Sequence, residues 1–190
     1  ISKNNSAITL VYVDGTQGWK ATDTSSLNDI EIQPEYIVAC GGTITCCGDY
    51  KIHTFTGPGT FTVCSVGNPA GSDSVDYLVV AGGASGGIGN TAGGAGGGAG
   101  GLRVSSGTAS GCWTASPLGD CVSALPVSAT GYPITVGGGG AGKGPGANGQ
   151  SGNCGSVSTF STITSTGGGK AAGHDFAGST GGSGGGGSGA

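Results

Sequence analysis

Glycine is concentrated in three blocks of this chain, and blocks this dense leave few ordered structures open to it. Residues 82–101, 137–155 and 167–190 hold 34 of the 47 glycines. Collagen is excluded, because it needs glycine at every third position together with abundant proline. An α-helix is disfavoured, since each glycine costs about 1 kcal/mol relative to alanine. A flexible tether and an ordered bundle of extended helices remain.

A bundle of polyglycine-II helices is the interpretation that we favour. Such a helix has the polyproline-II shape, with three residues per turn and no hydrogen bonds within itself. Without Cβ atoms, neighbouring helices can lie close together and satisfy one another's N–H and C=O groups. Charged residues make up only 8% of the chain, which favours packing over a solvated disordered segment. We therefore predict backbone hydrogen bonds between the blocks.

The remaining sequence predicts strands and no α-helix of note. Residues 1–20 are typical of the closing hairpin of a preceding β-module, and 21–34 of a polar linker. Residues 35–190 form the predicted glycine-rich domain, cut at its C-terminus. Within it, YKIHTF, TGPG and TFTV (50–63) predict one hairpin, and SVSTFSTITST (156–166) predicts a strand pair. The expected fold is all-β, with small β-sandwich strands interleaved with the polyglycine-II bundle.

Composition and motifs argue against several classes of function. The formal net charge is −4 and the six Lys and Arg residues are scattered, which argues against nucleic-acid binding. No apolar run approaches the length of a membrane span. The G-x-x-x-x-G-K match at 137–143 lacks the following Ser or Thr and the helix of a phosphate-binding loop. His53 and the His174-Asp175 pair have no nucleophile motif beside them. We predict no enzymatic activity, no cofactor and no metal.

The cysteines suggest one local disulfide. Cys112 and Cys121 bracket the ten-residue loop CWTASPLGDC, which is short enough for a bridge. Cys46 and Cys47 are adjacent and need different partners, for which Cys40 and Cys64 are the nearest candidates. Reduced buried thiols are the alternative for these four, and Cys154 is left over. Zinc binding fails on spacing, because no C-x-x-C pair is present. A disulfide would indicate an extracellular location.

The loop between the first two glycine blocks carries the side chains best suited to recognition. Trp113 follows Cys112, and an exposed Trp beside polar groups often stacks on sugars or anchors a protein. The alternative is that Trp113 fills a small core within its own loop. Together with Arg103, Leu118 and Asp120, it makes up the candidate receptor-contact site.

The same residues carry a resemblance to a known family. GDYKIHTFTGPGTFTV (48–63), GNPAGSDSVDYLVVAGG (67–83) and YPITVGGGG (132–140) resemble the glycine-rich domain of phage tail fibre and adhesin proteins, those of cyanophages especially. ITLVYVDGTQGWKAT (8–22) is similar to the hairpin that closes a small β-module before this domain. The cysteines and the CWTASPLGDC insert depart from the family pattern.

The resemblance implies a virion structural protein with glycine helices near a fibre tip and loops that contact the host. Its expected partners are a host surface glycan or outer-membrane protein, other tail or fibre chains, and copies of itself, with a trimer as the guess. Two other classes stay open: a purely structural subunit of an extracellular or virion-associated filament, and an ice-binding glycine-helix protein.

Overall fold

The computed structural model describes residues 9–16, 18–23, 33–89, 93–105, 123–144 and 149–187. These residues form strands and no helix, so the all-β prediction is confirmed. In chain order, the strands are β1 (Thr9–Asp14), β2 (Gly18–Asp23), β3 (Val38–Cys40), β4 (Thr43–Cys47), β5 (Tyr50–Thr54), β6 (Gly59–Ser65), β7 (Ser74–Val75), β8 (Leu78–Val80), β9 (Leu102–Val104), β10 (Leu125–Pro126), β11 (Gly131–Thr135), β12 (Ser158–Phe160) and β13 (Ile163–Ser165).

The chain divides into two compact units, with the division between Pro34 and Glu35. In the first unit β1 and β2 form the predicted antiparallel hairpin. The rings of Tyr12 and Trp19 lie opposite each other in its register, with centroids 5.4 Å apart in an edge-to-face arrangement. β2 continues to Asp23, so the hairpin extends beyond residue 20 into the predicted linker.

A five-stranded antiparallel sheet organises the second unit, in the order β13-β12-β11-β6-β3. β6 lies inside this sheet, and its alternating Phe61 and Val63 are buried. They pack with Val79 of β8 and Phe160 of β12 in the hydrophobic core. The rings of Phe61 and Phe160 meet edge to face at 6.0 Å, a preferred geometry for aromatic pairs. The period-two pattern of these strands therefore fixes which face is buried.

The hairpin predicted over 50–63 is wrong, although both of its strands exist. β5 pairs with β4, and β6 pairs with β3 and β11. A two-residue turn at Gly48 and Asp49 joins β4 to β5, and Gly48 has the positive φ of 56° that the first position of a type II′ turn requires. The shorter connection closes the hairpin, and the TGPG segment instead carries the chain from one sheet to another.

Six extended segments contain most of the described glycines. They are segment I (81–88), segment II (95–101), segment III (137–144), segment IV (149–157), segment V (166–173) and segment VI (182–187), none of them helical or in a strand by hydrogen-bond pattern. Segment I continues directly from β8, segment II leads into β9, segment IV into β12, and segment V continues from β13. The strands therefore determine where these four glycine segments begin or end.

Backbone hydrogen bonds between these segments recur at every third residue. The N–H groups of Ala81, Ala84 and Gly87 donate to segment II, at the carbonyls of residues 101, 98 and 95. The next residue in each turn, at 82, 85 and 88, donates to segment IV, at residues 156, 153 and 150. The predicted bonds between glycine segments are thus present. Their three-residue spacing supports the polyglycine-II conformation, which itself stays a prediction.

The bonded pairs connect the six segments as two rows of three. One row has the order III–I–II and the other IV–V–VI, and at least one backbone hydrogen bond joins every neighbouring pair within and between the rows. Segments I and II run antiparallel, so the block 82–101 turns back on itself instead of forming one helix. A single polyglycine-II helix of about 20 residues would be about 60 Å long, far longer than the strands that begin and end these segments.

Candidate functional site

The connection between β9 and β10 begins and ends on one stretch of chain, residues 73–77. At its start, Ser105 N–H donates to the carbonyl of Tyr77 at 3.1 Å, and Tyr77 N–H donates to Ser105 Oγ at 3.0 Å. Ser105 Oγ donates in turn to the Asp76 carboxylate at 2.7 Å, and Ser105 is 2% exposed. Since the hydroxyl is buried and its partner is a carboxylate, this contact is a strong charge-assisted hydrogen bond.

The other end of the connection is held by a short strand pair. Leu125 lies opposite Val75 and Pro126 opposite Ser74 in the β10–β7 ladder. One residue later, Val127 N–H donates to the carbonyl of Asp73 at 2.9 Å, and Val127 packs in the core. The described residues on either side of 106–122 are therefore held on neighbouring residues of one stretch of chain, 73–77.

The sequence-predicted site residues are divided between strand β9 and the connection. Arg103 lies in β9, opposite Val79, with an exposed side chain whose Nη1 donates to the Leu102 carbonyl at 3.4 Å. It precedes the connection instead of belonging to it. Trp113, Leu118 and Asp120, together with the predicted disulfide partners Cys112 and Cys121, lie outside the described residues.

The described thiols do not follow the pairing predicted for them. Cys40, Cys46, Cys64 and Cys154 are free and exposed. Cys40 and Cys64 are therefore not bonded to Cys46, and the alternative of buried reduced thiols is also wrong for them. The reason is topological: Cys46 belongs to the β4–β5 hairpin, whereas Cys40 and Cys64 lie on the paired strands β3 and β6.

Two of these thiols have shifted acidities of opposite sign. Desolvation by its surroundings raises the pKa of Cys64, and the charge and hydrogen bond of the neighbouring Cys40 thiol raise it further. The pKa of Cys154 is lowered by a hydrogen bond with the Ser179 hydroxyl, with Sγ and Oγ 3.5 Å apart, and by Lys170. Cys154 therefore has the larger thiolate fraction of the two at neutral pH.

The two histidines have separate structural surroundings. His53 is half-buried, with Nδ1 2.8 Å from the Gly41 carbonyl and its ring edge to face with Phe61. His174 Nδ1 and Asp175 Oδ2 are 2.7 Å apart, and both side chains are exposed. Within the described ranges no group of three or more His, Cys, Asp or Glu is arranged to hold a metal ion.

An exposed aliphatic face on the β8–β9 pair was not predicted from the sequence. Leu78, Val80 and Leu102 are more than half exposed, while Val79 between the first two is buried in the core. The alternation in DYLVVA carries this signal, because a two-faced strand places every second residue on the opposite side.

Comparison with known proteins places most of the chain in one family. The family described as "Glycine-rich domain" matches residues 55–190. Searches of curated proteins and of solved structures each find no match to the chain. Among the described residues no helix is long and apolar enough to cross a membrane.

Proposed function

The chain belongs to the glycine-rich domain family, and from that premise we propose that it is a structural protein of a phage tail fibre or adhesin. In this role the two rows of glycine segments are a rigid body, and the connection 106–122 contacts the host cell. The protein would then be part of the virion and act outside a cell.

The observation that carries the proposal is the anchoring of this connection at both ends. Ser105 is held by Asp76 and Tyr77, and Val127 by Asp73. A segment whose flanking residues are held on one stretch of chain loses less conformational freedom when it binds than a free tail would, because part of the ordering cost is met by the fold. The connection 106–122, which lies between these anchors, has seventeen residues and is long enough to carry a binding surface.

The glycine rows supply rigidity but little chemistry for recognition. Their outer positions hold mainly Gly and Ala, and specific sites need shaped pockets and placed polar groups. Trp113, Leu118 and Asp120 offer an aromatic, an aliphatic and an acidic group in one connection, with Arg103 on the adjoining strand. A surface glycan or an outer-membrane protein fits this set, because a Trp ring can stack on a sugar or anchor in a pocket.

The test is adsorption of virions that carry Trp113→Ala. We expect fewer bound particles per cell with unchanged particle assembly, because the variant removes the largest contact group of the connection. Trp19→Ala is the matched control, since Trp19 is an exposed Trp that lies in the β1–β2 hairpin and not in the connection. Adsorption that Trp113→Ala leaves unchanged would contradict the receptor role and favour a purely structural subunit of a filament.

Ice binding stays the second alternative, favoured by one observation. The row III–I–II presents Gly and Ala at most of its exposed positions, a flat surface with few side chains. Thermal hysteresis of the purified chain is the measurement that checks this alternative. Its absence would leave the virion and filament proposals.

A further inference from the structure

Glycine in the row III–I–II occurs at positions where the chain's own packing does not require it. A Cβ on Gly100 would overlap the carbonyl of Ala81, so glycine there follows from the close approach of segments I and II. A Cβ on Gly96 or Gly138 would meet nothing within 4 Å, and one on Gly83 would first meet atoms at 3.8 Å. These three exposed glycines bear the entropic cost of glycine without an intramolecular reason.

The backbone of segment I leaves one hydrogen-bonding direction unused. Residues 82, 84, 85, 87 and 88 each donate their N–H to a neighbouring segment. Gly83 and Gly86, which are exposed, have no N–H partner among the described residues. These two N–H groups are three residues apart, which is the spacing of the hydrogen bonds between segments of the bundle. A further extended segment could therefore accept hydrogen bonds at this side of segment I.

An apolar surface adjoins these glycines. β8 leads directly into segment I and β9 follows segment II, and the two strands lie against β12 and β13 on the side of buried Val79. Leu78, Val80 and Leu102 point to the opposite side, with exposures of 65%, 54% and 54%. A contiguous exposed aliphatic group of this kind marks an interaction surface.

Segments IV and V of the second row do not have this character. The exposed positions of segment IV include Gln150, Cys154, Ser156 and Val157, and residues 167–173 of segment V are buried except for the half-buried Lys170. The chain after segment V returns across it, where Ser179 N–H donates to the Lys170 carbonyl at 3.0 Å. Side chains and a return segment thus cover the bundle at segments IV and V, while the row III–I–II and segment VI present mainly glycine. Of these two surfaces, only the row III–I–II adjoins Leu78, Val80 and Leu102.

We propose that the glycine face, formed by Gly83, Gly96 and Gly138 with Leu78, Val80 and Leu102, binds the same face of a second copy of the chain. The occupant must present few side chains, backbone carbonyls that can accept from the free N–H groups of Gly83 and Gly86, and an aliphatic group beside them. Segment I offers such acceptors itself, because the carbonyls of Ala84 and Gly87 accept from no N–H among the described residues, and a two-fold axis brings like surfaces together. The aliphatic side chains supply the apolar burial, and the glycines allow backbone contact that includes Cα–H···O bonds.

The experiment is sedimentation equilibrium of the chain and three variants over a range of concentrations. Gly83→Glu and Leu102→Glu each place a charge on the glycine face, and we expect each to weaken self-association by about tenfold or more. Gly184→Glu is the control, because Gly184 is exposed on segment VI and its Cβ would first meet an atom at 3.9 Å. We expect it to associate as the parent chain does. Circular dichroism of all four proteins checks that the fold is kept.

Either of two outcomes would overturn the proposal. The parent chain could stay monomeric at its highest soluble concentration, or both face variants could associate as tightly as the parent. A monomeric parent whose thermal hysteresis is lost in Gly83→Glu would assign the same face to ice. Should Gly83→Glu unfold the chain, Leu102→Glu still decides, since its side chain projects from the strand pair into solvent. Self-association does not depend on host attachment. The adsorption test with Trp113→Ala and the sedimentation test with these variants can therefore give independent results.

Discussion

Adjacent glycines of segment II have different surroundings, and a single methyl group distinguishes them. A Cβ on Gly97 would lie 2.5 Å from the carbonyl oxygen of Ala84 and 2.6 Å from that of Ser85, whereas a Cβ on Gly96 would meet nothing within 4 Å. We expect Gly97→Ala to lower the free energy of unfolding by about 1–3 kcal/mol through overpacking. Gly96→Ala should change it by less than about 0.5 kcal/mol or raise it slightly. Urea denaturation measures both, and equal behaviour of the two variants would contradict close packing of segment II on segment I.

Two buried serines that face each other across β12 and β13 make a second residue-level comparison. Ser158 Oγ donates to the Val80 carbonyl at 2.7 Å and accepts from Gly137 N–H at 2.9 Å. Ser165, opposite it in the register, has a buried Oγ without a partner among the described residues. Ser158→Ala removes the partner of two partly buried backbone groups and should cost about 1–3 kcal/mol of stability. Ser165→Ala should be neutral or stabilising in thermal unfolding, and a larger loss there than at Ser158 would contradict these hydrogen bonds.

At the scale of elements, the sequence predicts strands better than it predicts their partners. The alternation of Phe61 and Val63 marks β6, and the β1–β2 and β12–β13 pairs follow from short turns. The partner of β5 was not predicted. It is TITCC (β4), a short β-rich run before the Gly48-Asp49 turn, and its two cysteines are its more conspicuous feature. β6 gains more from burial between β3 and β11 than from pairing with its neighbour in sequence, and such long-range choices depend on the whole core.

For the connection 106–122, the sequence predicts one specific disulfide. Because Cys112 and Cys121 close a ten-residue loop, a bridge there should stabilise the fold by about 2–3 kcal/mol. We expect peptide mapping without reduction to recover a Cys112–Cys121 linked peptide, and Cys112→Ser to lower the unfolding temperature. Cys154→Ser is the control, since that thiol is free. A peptide that links Cys112 or Cys121 to Cys47 instead would overturn the local bridge.

At the scale of the whole molecule, composition predicts a glycine bundle but not its arrangement. Glycine runs without side chains allow close backbone contact in any register, so no pattern in them says where a segment turns. The turns follow from the strands: β8 and β9 pair and hold segments I and II antiparallel. For the candidate contact site, the sequence predicts which side chains could bind a partner but not how the connection is anchored. The Asp76–Ser105 anchor joins residues 29 positions apart and has no local signal.

The bundle as a whole makes a periodic prediction for amide exchange in segment VI. Gly182, Ser183, Gly185 and Gly186 donate their N–H groups to other parts of the bundle, whereas Gly184 has no partner among the described residues. In a cooperative bundle the four bonded amides exchange only through opening of the packed rows, and the unbonded one exchanges freely. We therefore expect hydrogen exchange followed by NMR to show slow, slow, fast, slow, slow over residues 182–186. Gly97→Ala should speed the four slow amides together, because it loosens the same bundle. Uniformly fast exchange across the segment would instead indicate the flexible tether that its composition also allows.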